Sequence, residues 1–315
     1  MPYLFSRLRQ SLLTLVLITV LTFAIDQAAP GSPFGLDDPD VAVRVPPEMR
    51  DRYRQLYGLD RPLPVQYLSW LGRLLQGDFG ISYTYRNETV LAVLRRAWPP
   101  TVQIGLIALV LALGLGIPLG VGAAVRRRSR LDRFSRAVAV VGAATPVYVL
   151  ATLTMLLFAV RLHVLPLIGW GGLARLLLPA CVLALGPLAV VIRFTRAAVL
   201  ETLSADYVRT ARAKGLHSRQ VIGRHVLKNA LLPVLTLAGP LAAALLVGSF
   251  FVETMFNIPG LGATFVYAAA DRDYPLIMAG AVLSGGLIIL LNLAVDLAYG
   301  LLDPRIRLHD PSSRS

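Results

Sequence analysis

Lysine is nearly absent from this chain. Lys214 and Lys228 are the only two among 315 residues, and neither follows a glycine. A P-loop needs Gly-Lys followed by Ser or Thr, because backbone amides cradle the phosphate while the lysine neutralises it. That ATP site therefore cannot be built here. The H-E-x-x-H and G-x-S-x-G patterns are also missing, and the four histidines, His163, His217, His225 and His309, are dispersed. A single cysteine, Cys181, excludes an intrachain disulfide and any multi-thiolate metal centre. It reads as a small packing residue, and no catalytic constellation is legible. Charge is scarce too, at 16% of residues against roughly 25% in soluble domains.

What fills the sequence instead is apolar: 56% of residues are hydrophobic. Crossing a hydrocarbon core of about 30 Å takes about 20 apolar residues, and six runs qualify, at 11–29, 101–124, 137–160, 175–195, 231–252 and 280–302. The first could be a secretory signal, since Arg7 and Arg9 precede it. Asp26 and Gln27 stand where a cleavage site needs small residues, which favours an uncleaved first helix. The expected fold is all-α and integral to the membrane.

The formal charge of +13 is distributed unevenly. Arg126, Arg127, Arg128, Arg130, Arg133 and Arg136 lie between the second and third runs against Asp132 alone, and Arg209, Arg212, Lys214, Arg219, Arg224 and Lys228 lie between the fourth and fifth. The positive-inside rule then places both termini in the cytoplasm and residues 30–100 outside. This outer segment carries nine arginines against eight acids, which is compatible because long loops translocate largely regardless of charge. Within it, Met49, Tyr53, Leu56 and Tyr57 recur at helical spacing and predict a short amphipathic helix over 48–57.

Gly116 and Gly120 form a small-xxx-small pair in the second run, suited to close helix approach, and Gly285 and Gly286 read the same way in the sixth. The interior stretches of runs two to five contain no acid, histidine or other charged residue before Arg193, so the buried acid or histidine relay of a proton-coupled carrier is not legible. Asp296, one turn after Asn292, reads as a structural group near the interface.

The most distinctive segment lies within 196–230. Ser204 is an expected N-cap; Tyr207, Val208 and Ala211 give one face an apolar stripe; Arg209, Arg212 and Lys214 suit the negative end of the helix dipole; Gly215 supplies a left-handed stop. A second helix is expected after Ser218. A basic helix-turn-helix could also bind DNA, but anchoring to membrane spans at both ends leaves no independent domain to approach a duplex. A short rigid element between two spans instead suits transmission of rigid-body motion.

The block DYVRTARAKG followed by RHVLKNALLP resembles the cytoplasmic loop of ABC importer permeases of the dipeptide, oligopeptide and nickel family. Further blocks extend the resemblance over nearly the whole chain in the family's order: LTFAIDQAAPGSP, YGLDRPLPVQYLSWLGRLLQGDFGIS, GIPLGVGAAVRRRSRLD, ETMFNIPGLG, RDYP and NLAVDLAYGLLDPRIR. In the loop, Arg209, Thr210 and Ala211 occupy the positions of the general importer's Glu-Ala-Ala before Gly215, and Leu232-Pro233 closes the pattern. The resemblance implies a type I importer architecture and a B-type permease without catalysis or cofactor of its own. It also implies a homologous second permease, two subunits that bind ATP and Mg, an extracytoplasmic solute-binding protein, no nucleic acid, and a bacterial plasma-membrane location. It puts the ATPase contact at Asp206, Tyr207, Arg209, Thr210, Ala211, Arg212, Ala213, Lys214, Gly215 and Leu216. Peptides, nickel chelates, glutathione and haem-like ligands all remain open as cargo, and a secondary carrier or channel is the rival from another class.

Overall fold

The computed structural model describes residues 2–28, 60–85, 88–166 and 168–302, and helices dominate them. Among the described residues, five helical stretches are long and apolar enough to cross a membrane: Arg9–Ala28, Val90–Val125, Leu173–Leu203, Leu232–Met255 and Tyr274–Ala294. A sixth candidate is a bent pair. The predicted helix over 48–57 and the side chain of Asp296 lie outside the described residues.

Contacts divide the chain into two units. The first comprises 1–99 and 259–287. Helix α1 (Pro2–Ala28) exposes Leu13, Leu17, Leu21 and Ile25, an apolar surface that lipid can cover without cost. It meets α2 (Leu63–Leu75), where the Thr19 and Tyr67 hydroxyls lie 2.9 Å apart and Phe23 meets Tyr67 at 5.4 Å between ring centroids. The apolar face of α2 lies outside the six runs and was not foreseen as a helix. The unit's core gathers Val90, Val93 and Leu94 from the start of α3 (Val90–Val125) around Leu261, Leu276 and Ala279. Asp273, fully buried, caps the last helix by accepting from Leu276 N–H at 3.2 Å. It also accepts from the Ser82 hydroxyl and from Thr84 N–H at 3.1 Å. Gly285 faces Ile18, whose side chain would lie 2.7 Å from an added Cβ, while Gly286 opens onto free space.

The second unit holds 100–258 and 288–315. In it, α4 (Arg130–Ala144) starts on a Ser129 cap whose hydroxyl accepts from Asp132 N–H. The run at 137–160 is not one straight span. It breaks between Ala144 and Val147 with a 112° bend, because Pro146 lacks the N–H that would continue the ladder and its ring pushes Thr145 to extended backbone. Helix α5 (Val147–Thr154) follows and widens into a π-helical stretch, Met155–Arg161. Helix α6 (Leu173–Leu203) is the unit's central element, burying Leu176, Val182, Ala189, Ile192 and Val199. Gly116 and Gly120 of α3 lie against it as the spacing predicts: an added Cβ would sit 2.7 Å from Val191 Cγ1 and 2.6 Å from Thr195 Cβ, respectively. The second site is also walled by backbone, since Ile192 O would be 2.9 Å away. Gly120→Val is therefore expected to prevent α3 and α6 from closing, with loss of most folded protein; membrane yield and monodispersity after extraction check this, and a normal yield would refute it.

Candidate coupling surface

The segment after α6 folds as two short helical pieces. Helix α7 (Asp206–Ala213) begins on Ala205 without a side-chain cap. The expected Ser204 N-cap is wrong: Ser204 ends α6, and its hydroxyl donates to Glu201 O at 2.7 Å. The hydroxyl adds a second donor to a carbonyl that already accepts from Ser204 N–H at 3.1 Å, a bond back to the preceding turn.

The C-terminus of α7 forms as expected. Gly215 has φ +78°, Gly215 N–H donates to Arg212 O at 3.0 Å, and Leu216 N–H donates to Ala211 O at 3.3 Å. These two bonds make a Schellman turn, which needs a left-handed residue at the Gly215 position. The chain then enters α8 (Ser218–Gln220), a π-helical turn Val221–Val226, and α9 (Leu227–Ala230). The second helix starts on Ser218 itself, one residue before the expected place.

Two faces of α7 separate cleanly. Val208 and Ala211 are buried with Val199, Val221, Val226, Ala230 and Ala124 in one apolar cluster, which fixes the helix to α6 and to the pieces after it. Asp206, Tyr207, Arg209, Thr210, Arg212, Ala213, Lys214, Gly215 and Leu216 are exposed. Ala211 thus belongs to the anchor, and Tyr207 leaves the apolar stripe to accept a 2.9 Å hydrogen bond from Asn229 Nδ2. The exposed Arg209–Asp206 pair, at 3.5 Å, contributes little, as such surface pairs do. The surface offered is short, basic and rigidly mounted.

A second feature escaped the sequence reading. Asp132, 1% exposed, accepts from Arg196 Nε at 2.9 Å and from Arg128 N–H at 3.0 Å, with Arg136 Nε 3.5 Å away. This clasp ties the basic turn before α4 to α6, two turns before α6 ends at Leu203. In sequence Asp132 looked like one stray acid among six arginines, and no local signal pairs it with a residue 64 positions on. A third buried acid, Glu253 in α11 (Phe250–Met255), accepts from the Thr101 hydroxyl at 2.9 Å.

Apolar helices with a polar, rigidly anchored loop between two of them define a multi-pass membrane protein, and comparison with known proteins places it further. Residues 116–308 match the family described as binding-protein-dependent transport system inner membrane component, and residues 1–105 match that system's membrane-component N-terminal family. The chain belongs to this family of bacterial inner-membrane permeases, as the resemblance read from its motifs implied. It is 39% identical over 306 residues to a dipeptide transport system permease protein of Lactococcus lactis, covering 97% of this chain and 99% of that one. A dipeptide permease of Bacillus subtilis is 41% identical, with 98% of each chain covered. An oligopeptide permease of Escherichia coli is 37% identical, covering 98% and 99%. The fold resembles a chain of the MetNI methionine ABC transporter in inward-facing conformation, with TM-score 0.55 at 20% identity over 68% of this chain and 97% of that one. It also resembles a chain of an amino acid ABC transporter, with TM-score 0.51 at 13% identity over 68% and 94%.

Proposed function

We propose that this chain is the B-type permease subunit of an ATP-driven peptide importer, supplying half of the translocation path and receiving mechanical work through α7. The observation that carries this reading is the near-full-length similarity to dipeptide and oligopeptide permeases. The exposed, core-anchored helix at Asp206–Ala213 supports it. With both termini cytoplasmic, as the arginine distribution favours, α7 faces the compartment that holds ATP.

In this reading the ATP and Mg reside in two partner ATPases, a homologous permease supplies the other half of the path, and an extracytoplasmic binding protein delivers the cargo. Closure of the ATPase dimer displaces α7. Because Val208 and Ala211 are embedded among residues of α6 and the segment after it, the displacement moves α6 as a body and does not dissipate in a loop. Dipeptides and oligopeptides are the cargo the relatives favour over nickel chelates, glutathione or haem.

Reconstitution tests the reading. Proteoliposomes holding both permeases, the ATPases and the binding protein are expected to accumulate labelled dipeptide only with internal ATP. Uptake by this chain alone would refute it in favour of a carrier or channel.

A further inference from the structure

Two breaks between helices and one proline inside a continuous helix, all in the second unit, converge on one cavity of about 400 Å³. Thr145 belongs to the break between α4 and α5, Gly186 and Pro187 lie inside α6, and Gly248 and Ser249 separate α10 (Leu232–Val247) from α11. Irregular backbone at membrane depth survives only where protein buries it or where it lines a water-filled space, and broken helices recur where transporters hold their substrates. Pro187 stands near the midpoint of Leu173–Leu203, roughly 20 Å from either end at 1.5 Å per residue. The cavity therefore reaches the depth of the membrane centre.

Its chemistry is specific. Proline has no N–H, so Pro146 leaves the carbonyl of Gly142 without its usual donor four residues on, and Pro187 does the same to Leu183. Both carbonyl-bearing residues line the cavity. Gly186 keeps the first of them reachable, since a Cβ there would stand 3.9 Å from Gly142 O. No charged side chain lines the space, whereas the Phe250 and Phe251 rings do, and both are exposed. Backbone acceptors beside apolar walls match amide N–H and ammonium donors followed by variable side chains.

We propose that this cavity is a hydrated binding site on the translocation path, in which the Gly142 and Leu183 carbonyls accept hydrogen bonds from the backbone of a peptide. The proposal rests on the peptide-importer reading above. It assigns recognition to the part every peptide shares, leaving side chains to the apolar walls.

The single cysteine makes the test direct. In the complete complex carrying Cys181→Ser, Thr145→Cys and Ser249→Cys are expected to react with a membrane-impermeant methanethiosulfonate at least tenfold faster than Val110→Cys on the outer face of α3. Saturating dipeptide-loaded binding protein is expected to slow them severalfold. Gly186→Leu is expected to reduce dipeptide uptake at least tenfold at unchanged yield. Reaction as slow as at Val110→Cys would overturn the hydrated cavity, and fast reaction without protection would overturn the peptide site. Absence of dipeptide uptake by the Cys181→Ser complex would instead overturn the importer reading, and the ligand assignment with it, while the reaction rates still report whether the cavity holds water.

Discussion

Gly215→Val is expected to reduce dipeptide uptake about five- to thirtyfold while membrane insertion and assembly persist. An added Cβ would meet nothing within 4 Å, so the cost is conformational: a left-handed backbone costs a side-chain-bearing residue about 1–2 kcal/mol, a factor of roughly 5–30 in an equilibrium. That cost falls on the Schellman turn. When the turn opens, the Gly215–Arg212 and Leu216–Ala211 bonds are lost and α7 no longer ends in a fixed orientation. ATP hydrolysis is expected to continue, because the proposed importer reading puts the ATPase sites in other chains. The readout is ATP consumed per peptide accumulated, which should rise. Gly215→Asn discriminates conformation from side-chain size, since asparagine tolerates the left-handed region; it should retain most uptake. Equal loss in both variants would refute the conformational account, and normal uptake by Gly215→Val would remove α7 as the coupling element.

Removing Arg196 is expected to be costlier than removing Asp132, although the same ion pair is broken. Arg196→Ala leaves the Asp132 carboxylate buried, with only Arg128 N–H and the more distant Arg136 to hold it. A carboxylate covered from water and stripped of its nearest cation is the costlier remnant of a broken pair. Asp132→Asn leaves no such charge, because Arg196 retains 24% side-chain exposure and can be hydrated. Its cost should be nearer the 1–3 kcal/mol of unsatisfied hydrogen bonds. Thermal denaturation of the purified complex should therefore rank wild type above Asp132→Asn above Arg196→Ala. The reverse order would show that the pair is not buried in the assembled membrane protein. Since the clasp joins α6 two turns before its end at Leu203, the less damaging variant is also the one in which coupling can still be measured.

These two sites were unequally visible. Gly215 announced itself locally: a basic amphipathic stretch ending at glycine predicts a left-handed stop, and backbone sterics within five residues decide it. Asp132 gave no such sign, because its partners come from a tertiary approach of α4 to α6. Ala211 shows the intermediate case. Its place in the apolar stripe predicted burial, yet the family's loop pattern put it among contact residues; packing against Val199, Val221 and Val226 turns it inward. Ser204 was misread because capping preference alone does not say which of two adjacent helices a hydroxyl will serve.

The membrane class, the positions of the apolar runs, the small-residue spacing at Gly116 and Gly120, and the lack of a P-loop were determined by sequence alone. Each depends on composition or on short-range spacing that no tertiary arrangement can alter. Tertiary structure decided which face of α7 is offered, which acids are buried and paired, and that two helix breaks and the proline inside α6 border one cavity. Those properties depend on residues tens of positions apart meeting in space, where burial sets the worth of a charge and a neighbouring helix decides whether a freed carbonyl faces protein or an open path.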